Sequence, residues 1–192
     1  IPWYLMTSKE NNNATISFFE QNNYFGYPKE AVKFFKQGQL PMVALNGKIL
    51  LEENGLVKEA ANGHGGTLHS MEKCGVIKEM KEKGIEWVFI NGVDNVLVKP
   101  VDPLLIGMSI HNKVLGSVKA IEKTDPKEKV GVFCRKNKKV GVVEYTEISE
   151  EMAHLRDDYG SLVYGDANAI FHLYNIKGLE KVSELKLPYH IA

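Results

Sequence analysis

Short apolar runs alternate with segments of helical spacing along most of the chain. "PWYLMTS" (2–8) is almost continuously apolar, as in a strand covered on both faces of a parallel sheet. "NNNATISFFEQNN" (11–23) sets Ile16 and Phe19 on one helical face, with Asn residues suited to its caps. "VKFFKQG" (32–38) is the next strand. In "LPMVALNGKILLEENG" (40–55), Asn46-Gly47 between alternating apolar positions predicts a hairpin with a two-residue type I′ turn. Leu68, Met71, Val76, Ile77 and Met80 keep helical spacing up to Gly84, a stop signal.

"EWVFIN" (86–91) is a further buried strand and runs straight into "GVDN". Pro103 in "DPLLIGMSIHNK" lies where a first helical turn tolerates it. "VLGSVKAIE" reads as a strand, and "VGVFCRKNKKVGVVEYTEIS" alternates around "KNKK" as an antiparallel hairpin. "SEEMAHLRDD" is a short helix, "ANAIFHLYN" a strand and "IKGLEKVSEL" a closing helix. Strand and helix in succession predict an α/β fold, a three-layer and mostly parallel sheet with the hairpins as antiparallel additions. Ligands of such sheets bind beyond the carboxyl ends of strands, where "KQGQ", "GVDN" and "GDAN" fall.

Composition narrows the function classes. The 192 residues carry 24 Lys+Arg and 24 Asp+Glu, so no net field favours nucleic acid or a membrane surface. No apolar run approaches the ~20 residues of a bilayer span, and no secretory signal is visible. Cys74 and Cys134 lack metal-ligand spacing and read as buried free thiols of a reducing compartment, which makes the expected location cytoplasmic. His64 and His69 have no paired His or Cys to complete a zinc site. G-x-S-x-G and G-x-x-x-x-G-K-[ST] are absent. The basic run "DPKEKVGVFCRKNKK" has no interleaved aromatics and reads as hairpin surface.

Four places remain where chemistry could reside. "NGHGG" (62–66) precedes a helix, and its glycines permit either an ordinary turn or a close backbone approach to a nucleotide. Asp94 follows a strand by a tight turn, as an Asx-turn aspartate or as a ligand of a hard divalent cation. Gln37, at a strand end before Gly38, carries the donor and acceptor that suit the imide edge of uracil, or is a turn residue. Glu144 amid an apolar run and Asn168 before a strand are an outward strand residue and a turn residue, or a pair that meets sugar hydroxyls.

Taken together and in order, "PWYLMTS", "YFGYPKEAVKFFKQGQLP", "ANGHGG", "GVDNVLVKPVDPLLIG", "EKTDPKEKVGVFCR", "VVEYTEIS" and "GDANAIF" resemble the eukaryotic-type UDP-sugar pyrophosphorylases. The likeness is greatest to the UDP-N-acetylhexosamine pyrophosphorylases, with UDP-glucose pyrophosphorylases as relatives, and it covers essentially the whole chain. The resemblance implies a Rossmann-like nucleotidyltransferase sheet of the nucleotide-diphospho-sugar transferase type. It implies formation of a UDP-sugar and pyrophosphate from UTP and a sugar 1-phosphate, with Mg²⁺ and small-molecule partners only. By position, Gln37 matches the residue that reads uracil, and Gly63 and His64 fall on the turn that meets the nucleotide. Asp94 matches the aspartate beside metal and phosphate; Gly131, Glu144 and Asn168 match positions lining the sugar pocket.

His64 departs from the Asn usual in the N-acetylhexosamine enzymes and agrees with the "GHG" of the glucose enzymes. The family's G-G-x-G-T-R-L-G signature is not in residues 1–192 and is expected before Ile1, with further phosphate-binding residues past Ala192. Residues 1–192 are therefore expected to be the central part of one catalytic domain, inactive alone. A non-catalytic UDP-sugar-binding module shares every one of these residues. A glycosyltransferase would want a D-x-D motif where this chain has "VDN".

Overall fold

The computed structural model describes residues 1–183. They fall into two compact units, residues 1–85 with residues 179–183, and residues 86–178.

In the first unit β1 (Trp3–Thr7) and β2 (Val32–Lys36) pair in parallel, Trp3 opposite Val32 and Thr7 opposite Lys36. Parallel neighbours need a crossover, which α1 (Asn12–Gln21) supplies. Its Phe19 is buried and meets the rings of Trp3, Tyr24, Phe25 and Phe34 edge-on, with centroids 5.2–6.0 Å apart.

β3 (Gln39–Pro41) pairs antiparallel with β4 (Glu59–Ala61). Between them lie two hairpin turns of one kind, not the single two-residue turn expected. Ala44 closes on Lys48 around Leu45-Asn46-Gly47, and Glu52 on Leu56 around Glu53-Asn54-Gly55. Only Gly47 and Gly55, each at φ 81°, are left-handed, whereas a type I′ turn needs two such residues. Asn46 Oδ1 instead accepts the Lys48 N–H (3.1 Å) and keeps its own backbone right-handed.

The apolar face from Leu68 to Met80 is split into α2 (Gly66–Lys73) and α3 (Val76–Glu82), because Gly75 turns left-handed at φ 71°. Met71, Val76, Ile77 and Met80 are all buried, so the face survives the break.

In the second unit β5 (Trp87–Asn91) leads through α4 (Pro103–His111) to β6 (Gly116–Glu122). The hairpin β7 (Val132–Lys136) and β8 (Lys139–Val143), then α5 (Glu150–His154) and β9 (Asp166–Asn175), complete a five-stranded sheet. The "KNKK" hairpin has the expected form, with Asn137 and Lys138 both left-handed. α6 (Ile176–Ser183) closes the described chain; Glu184 and Leu185 of the expected helix lie outside the described residues.

Every pairing in this sheet is antiparallel, against the parallel arrangement expected for "EWVFIN" and its neighbours. β9 runs between β5 and β6, which therefore run parallel to each other on either side of a reversed strand. Continuous apolar character reports burial, which a central strand has in either direction, and says nothing of direction itself. α4 is tied down at its start: the Asp102 carboxylate accepts the Leu104 and Leu105 N–H groups (2.9 and 3.3 Å) and pairs with Lys119 of β6. Farther along, the Ser109 and Ser117 hydroxyls meet at 2.7 Å.

Both cysteines are free, but Cys74 is exposed and Cys134 half-buried, so the expectation of two buried thiols fails. No helix of the described residues is long and apolar enough to cross a membrane.

Candidate functional site

In the first unit the end of β2 and the glycine turn are clamped together. Gln37 is half-buried, and its Nε2 donates to the Gly63 carbonyl at 3.0 Å. One N–H and the Oε1 acceptor of its amide are left for another partner. The Gly38 N–H donates to Ser70 Oγ (3.0 Å), which in turn donates to the Gly66 carbonyl (2.8 Å).

The Asn62 side chain lies against two glycines. A Cβ on Gly38 would come within 2.7 Å of its Nδ2, and a Cβ on Gly66 would fall inside the amide. Asn62 Oδ1 is buried with no hydrogen-bond partner among the described residues. Gly63 is left-handed at φ 73°, which accounts for one glycine of "NGHGG", and Gly66 makes room for Asn62, which accounts for another. His64 is exposed, and its carbonyl accepts the Thr67 N–H at 3.0 Å.

In the second unit the site arises from a break in pairing. β9 pairs with β5 from Phe171 to Asn175, but at Ala167 its partner on the sheet is Val132 of β7. Between these, the register against β6 jumps from Phe171–Lys119 to Asn168–Ala120, leaving Ala169 and Ile170 bulged out. Ile170 is left-handed at φ 57°, a costly conformation for a β-branched residue.

The bulge and the segment that leaves β5 enclose a cleft of about 480 Å³, lined by Gly92, Asp94, Leu97, Asn168, Ala169 and Ile170 among others. Asp94 stands exposed at it. The Asn168 N–H donates to the Gly131 carbonyl at 2.8 Å, which brings the head of β7 to the bulge. Gly131 itself is buried under the end of β8: a Cβ there would meet Val142 Cγ1 at 2.9 Å and Glu144 Oε2 at 3.1 Å.

Four expected residues, Asp94, Gly131, Glu144 and Asn168, thus come from segments far apart in sequence to one break in one sheet. Glu144 is not enclosed by the apolar run around it, as its neighbours suggested. It is exposed just past β8, and its carbonyl accepts the Glu147 and Ile148 N–H groups. Among the described residues no three His, Cys, Asp or Glu gather as a metal site.

Three residues went unmarked in the sequence: Asn62, Ile170 and His172. His172 Nε2 lies 3.1 Å from Asn168 Oδ1. The signal available for His172 was the polar series Asn168, His172, Tyr174 at even positions, with only apolar residues between them.

A family model described as UTP–glucose-1-phosphate uridylyltransferase matches residues 1–191. The chain is 37% identical over 196 residues to a UDP-N-acetylglucosamine pyrophosphorylase of Saccharomyces cerevisiae, covering 100% of this chain and 41% of the relative. It is 36% identical over 195 residues to human UDP-N-acetylhexosamine pyrophosphorylase-like protein 1, covering 100% of this chain and 38% of that protein. A crystal structure of the uridine diphosphate N-acetylglucosamine pyrophosphorylase from Trypanosoma brucei in complex with inhibitor superposes with a TM-score of 0.85 at 35% identity. That match covers 94% of this chain and 36% of the other. The chain spans about two fifths of the length of these relatives.

Proposed function

Because the chain belongs to the UTP–glucose-1-phosphate uridylyltransferase family, we propose that it binds a UDP-sugar and serves the reversible transfer of a uridylyl group between a sugar 1-phosphate and pyrophosphate. The observation that carries this reading is the gathering of Asp94, Gly131, Glu144 and Asn168 at the bulge of β9. A hydroxyl both gives and takes hydrogen bonds, so a carboxylate (Glu144) and an amide (Asn168) beside one glycine suit a polyol. In the first unit, the free N–H and Oε1 of Gln37 suit the imide edge of uracil, and Gly63 lets the backbone lie close to the base.

The reaction under this reading is an in-line displacement. A sugar-phosphate oxygen attacks the α-phosphorus of UTP, the bond to the bridging oxygen breaks, and pyrophosphate leaves. The attacking oxygen is already ionised, so the chain's residues position and orient; they do not abstract a proton. Asp94 would hold Mg²⁺, since that ion takes one or two carboxylates and completes its shell with phosphate oxygens and water. Bound there, it would supply charge neutralisation and a template for the phosphates. The three-layer Rossmann-like sheet belongs to this proposal, supported by the parallel pair β1–β2.

The names of the relatives favour N-acetylglucosamine 1-phosphate as the sugar substrate. His64, in place of the Asn expected there, favours glucose as the second reading. Calorimetry of the 192-residue chain with UDP-N-acetylglucosamine, UDP-glucose, UMP and CMP tests the site. Expected are binding of the uridine compounds, a UDP-sugar tighter than UMP, and weak CMP. Indifference to the base, or no binding at all, overturns it. Repeating the titration with Mg²⁺ on Asp94→Asn should remove the metal's contribution, and superimposable Mg²⁺ curves for variant and parent would take Asp94 out of the metal role.

A further inference from the structure

Asn168 does not hold its own side chain in place; two groups downstream in β9 do. The Ile170 N–H lies 3.3 Å from Asn168 Oδ1, and a backbone N–H can only donate, so the amide atom facing it is the oxygen. His172 Nε2 is 3.1 Å from the same oxygen and must therefore carry a proton. On its other side His172 Nδ1 is 3.5 Å from the Tyr174 hydroxyl; in the neutral ring with its proton on Nε2, the phenol is the donor across this long contact. Burial pushes the Tyr174 phenol up, which keeps it a donor.

The register supports one face for all three residues. Asn168 stands opposite Ala120, His172 opposite Ile90 and Val118, and Tyr174 opposite Gly116, where a Cβ would crowd the ring at 3.1 Å. The neighbours of His172 on both adjacent strands are thus apolar. The Ile170 N–H meets the Asn168 side chain two residues back, the pattern of an Asx-turn set within the bulge.

We infer that His172, together with the Ile170 bulge, is a positioning residue that engages the carbonyl oxygen of the Asn168 amide and so presents its NH₂ group to the cleft. The cleft wall at Asn168 is then a hydrogen-bond donor only, and the ligand atom it takes is an acceptor oxygen. The exposed Glu144 carboxylate beside Gly131 is an acceptor, so a group that can only donate is refused at Asn168 and accepted at Glu144. The inference rests on the sugar-side reading of this cleft for its consequence in binding, but not for the geometry itself.

Two measurements test it. Long-range nitrogen correlation NMR of the 192-residue chain reports the tautomer of His172 with no ligand present. A protonated Nε2 and a bare Nδ1 are expected; in Asn168→Leu, which removes the acceptor and leaves the Tyr174 hydroxyl, the Nε2 preference should weaken, and in Asn168→Leu/Tyr174→Phe it should fall to that of a free imidazole. A ring protonated on Nδ1 alone, or a tautomer indifferent to Asn168→Leu, overturns the inference.

Calorimetry supplies the second arm. His172→Leu should weaken UDP-N-acetylglucosamine about tenfold, the scale of one lost hydrogen-bonded orientation, and leave UMP within about twofold. His172→Gln, whose Nε2 can reach the same oxygen, should restore most of the loss, which a merely space-filling role would not produce. Equal losses for both nucleotides, or no rescue by Gln, overturns the positioning role. If the parent chain binds neither compound, the proposed function fails, and the tautomer alone decides the inference.

Discussion

A single methyl group at Gly131 is enough to test the cleft, because its Cβ would sit 2.9 Å from Val142 Cγ1 and 3.1 Å from Glu144 Oε2. Gly131→Ala should cost about 1–3 kcal/mol of stability, the scale of an overpacked site, and push the Glu144 carboxylate aside. UDP-sugar affinity is then expected to fall while UMP affinity holds, and a variant that binds both as the parent does would remove Gly131 from the sugar side. Gln37→Ala acts on the other unit. It leaves the Gly63 carbonyl without its side-chain donor and removes the remaining amide edge. Uridine nucleotides should bind about 1–3 kcal/mol more weakly, with the preference for uridine over cytidine reduced. An unchanged base preference would make Gln37 a clamp for the glycine turn and nothing more. At this scale the residue types were legible beforehand, since an Asp after a strand or a Gln before a glycine stands out in the sequence. Asn62 and Ile170 were not, because an amide packed on glycines and a left-handed isoleucine arise only from the surrounding chain.

Elements are held by local devices that sequence spacing does reveal. α4 begins with Asp102 as its cap and Pro103 as its first residue, the asymmetry that marks a helix start. What spacing could not reveal is the second duty of Asp102, its ion pair with Lys119 across to β6. Asp102→Ala removes both, and the thermal midpoint is expected to fall by about 2–4 °C, the effect of one lost cap in a chain of this size. Lys119→Ala alone should cost less, because a partly exposed pair contributes little. A larger loss for Lys119→Ala than for Asp102→Ala would show that the pair, not the cap, secures α4. The same limit explains the hairpins of residues 40–58. Asn-Gly correctly signals a reversal, but the choice between two- and three-residue turns depends on whether Asn46 adopts a left-handed backbone, which its bond to the Lys48 N–H prevents.

Across the whole molecule, several carboxylates share one response to acid. Glu10 is held below the ordinary carboxylate range mainly by the Ser8 hydroxyl, Asp102 by Lys119, and Glu128 by the Asp125 N–H. A carboxyl whose folded value is depressed contributes stability that is fully present above its unfolded value and is lost as pH falls through the folded one. The thermal midpoint should therefore be steady from neutral pH to about pH 5 and decline below about pH 4. A midpoint unchanged down to about pH 3 would show that these bonds do not persist in solution. Lys29 and Lys81 are raised, by Glu20 and Glu180 respectively, so their contribution is complete at neutral pH and is lost only in strong alkali.

The amino-acid sequence by itself determined where most strands and helices lie and the kinship of the chain, because periodicity, caps and turn residues act over a few positions. Only the tertiary structure decided the reversed direction of β9, the change of its partner from β5 to β7, and the grip of Ile170 and His172 on Asn168. Those features follow from register between segments dozens of residues apart, and an apolar strand reads the same from its own residues whichever way it is paired.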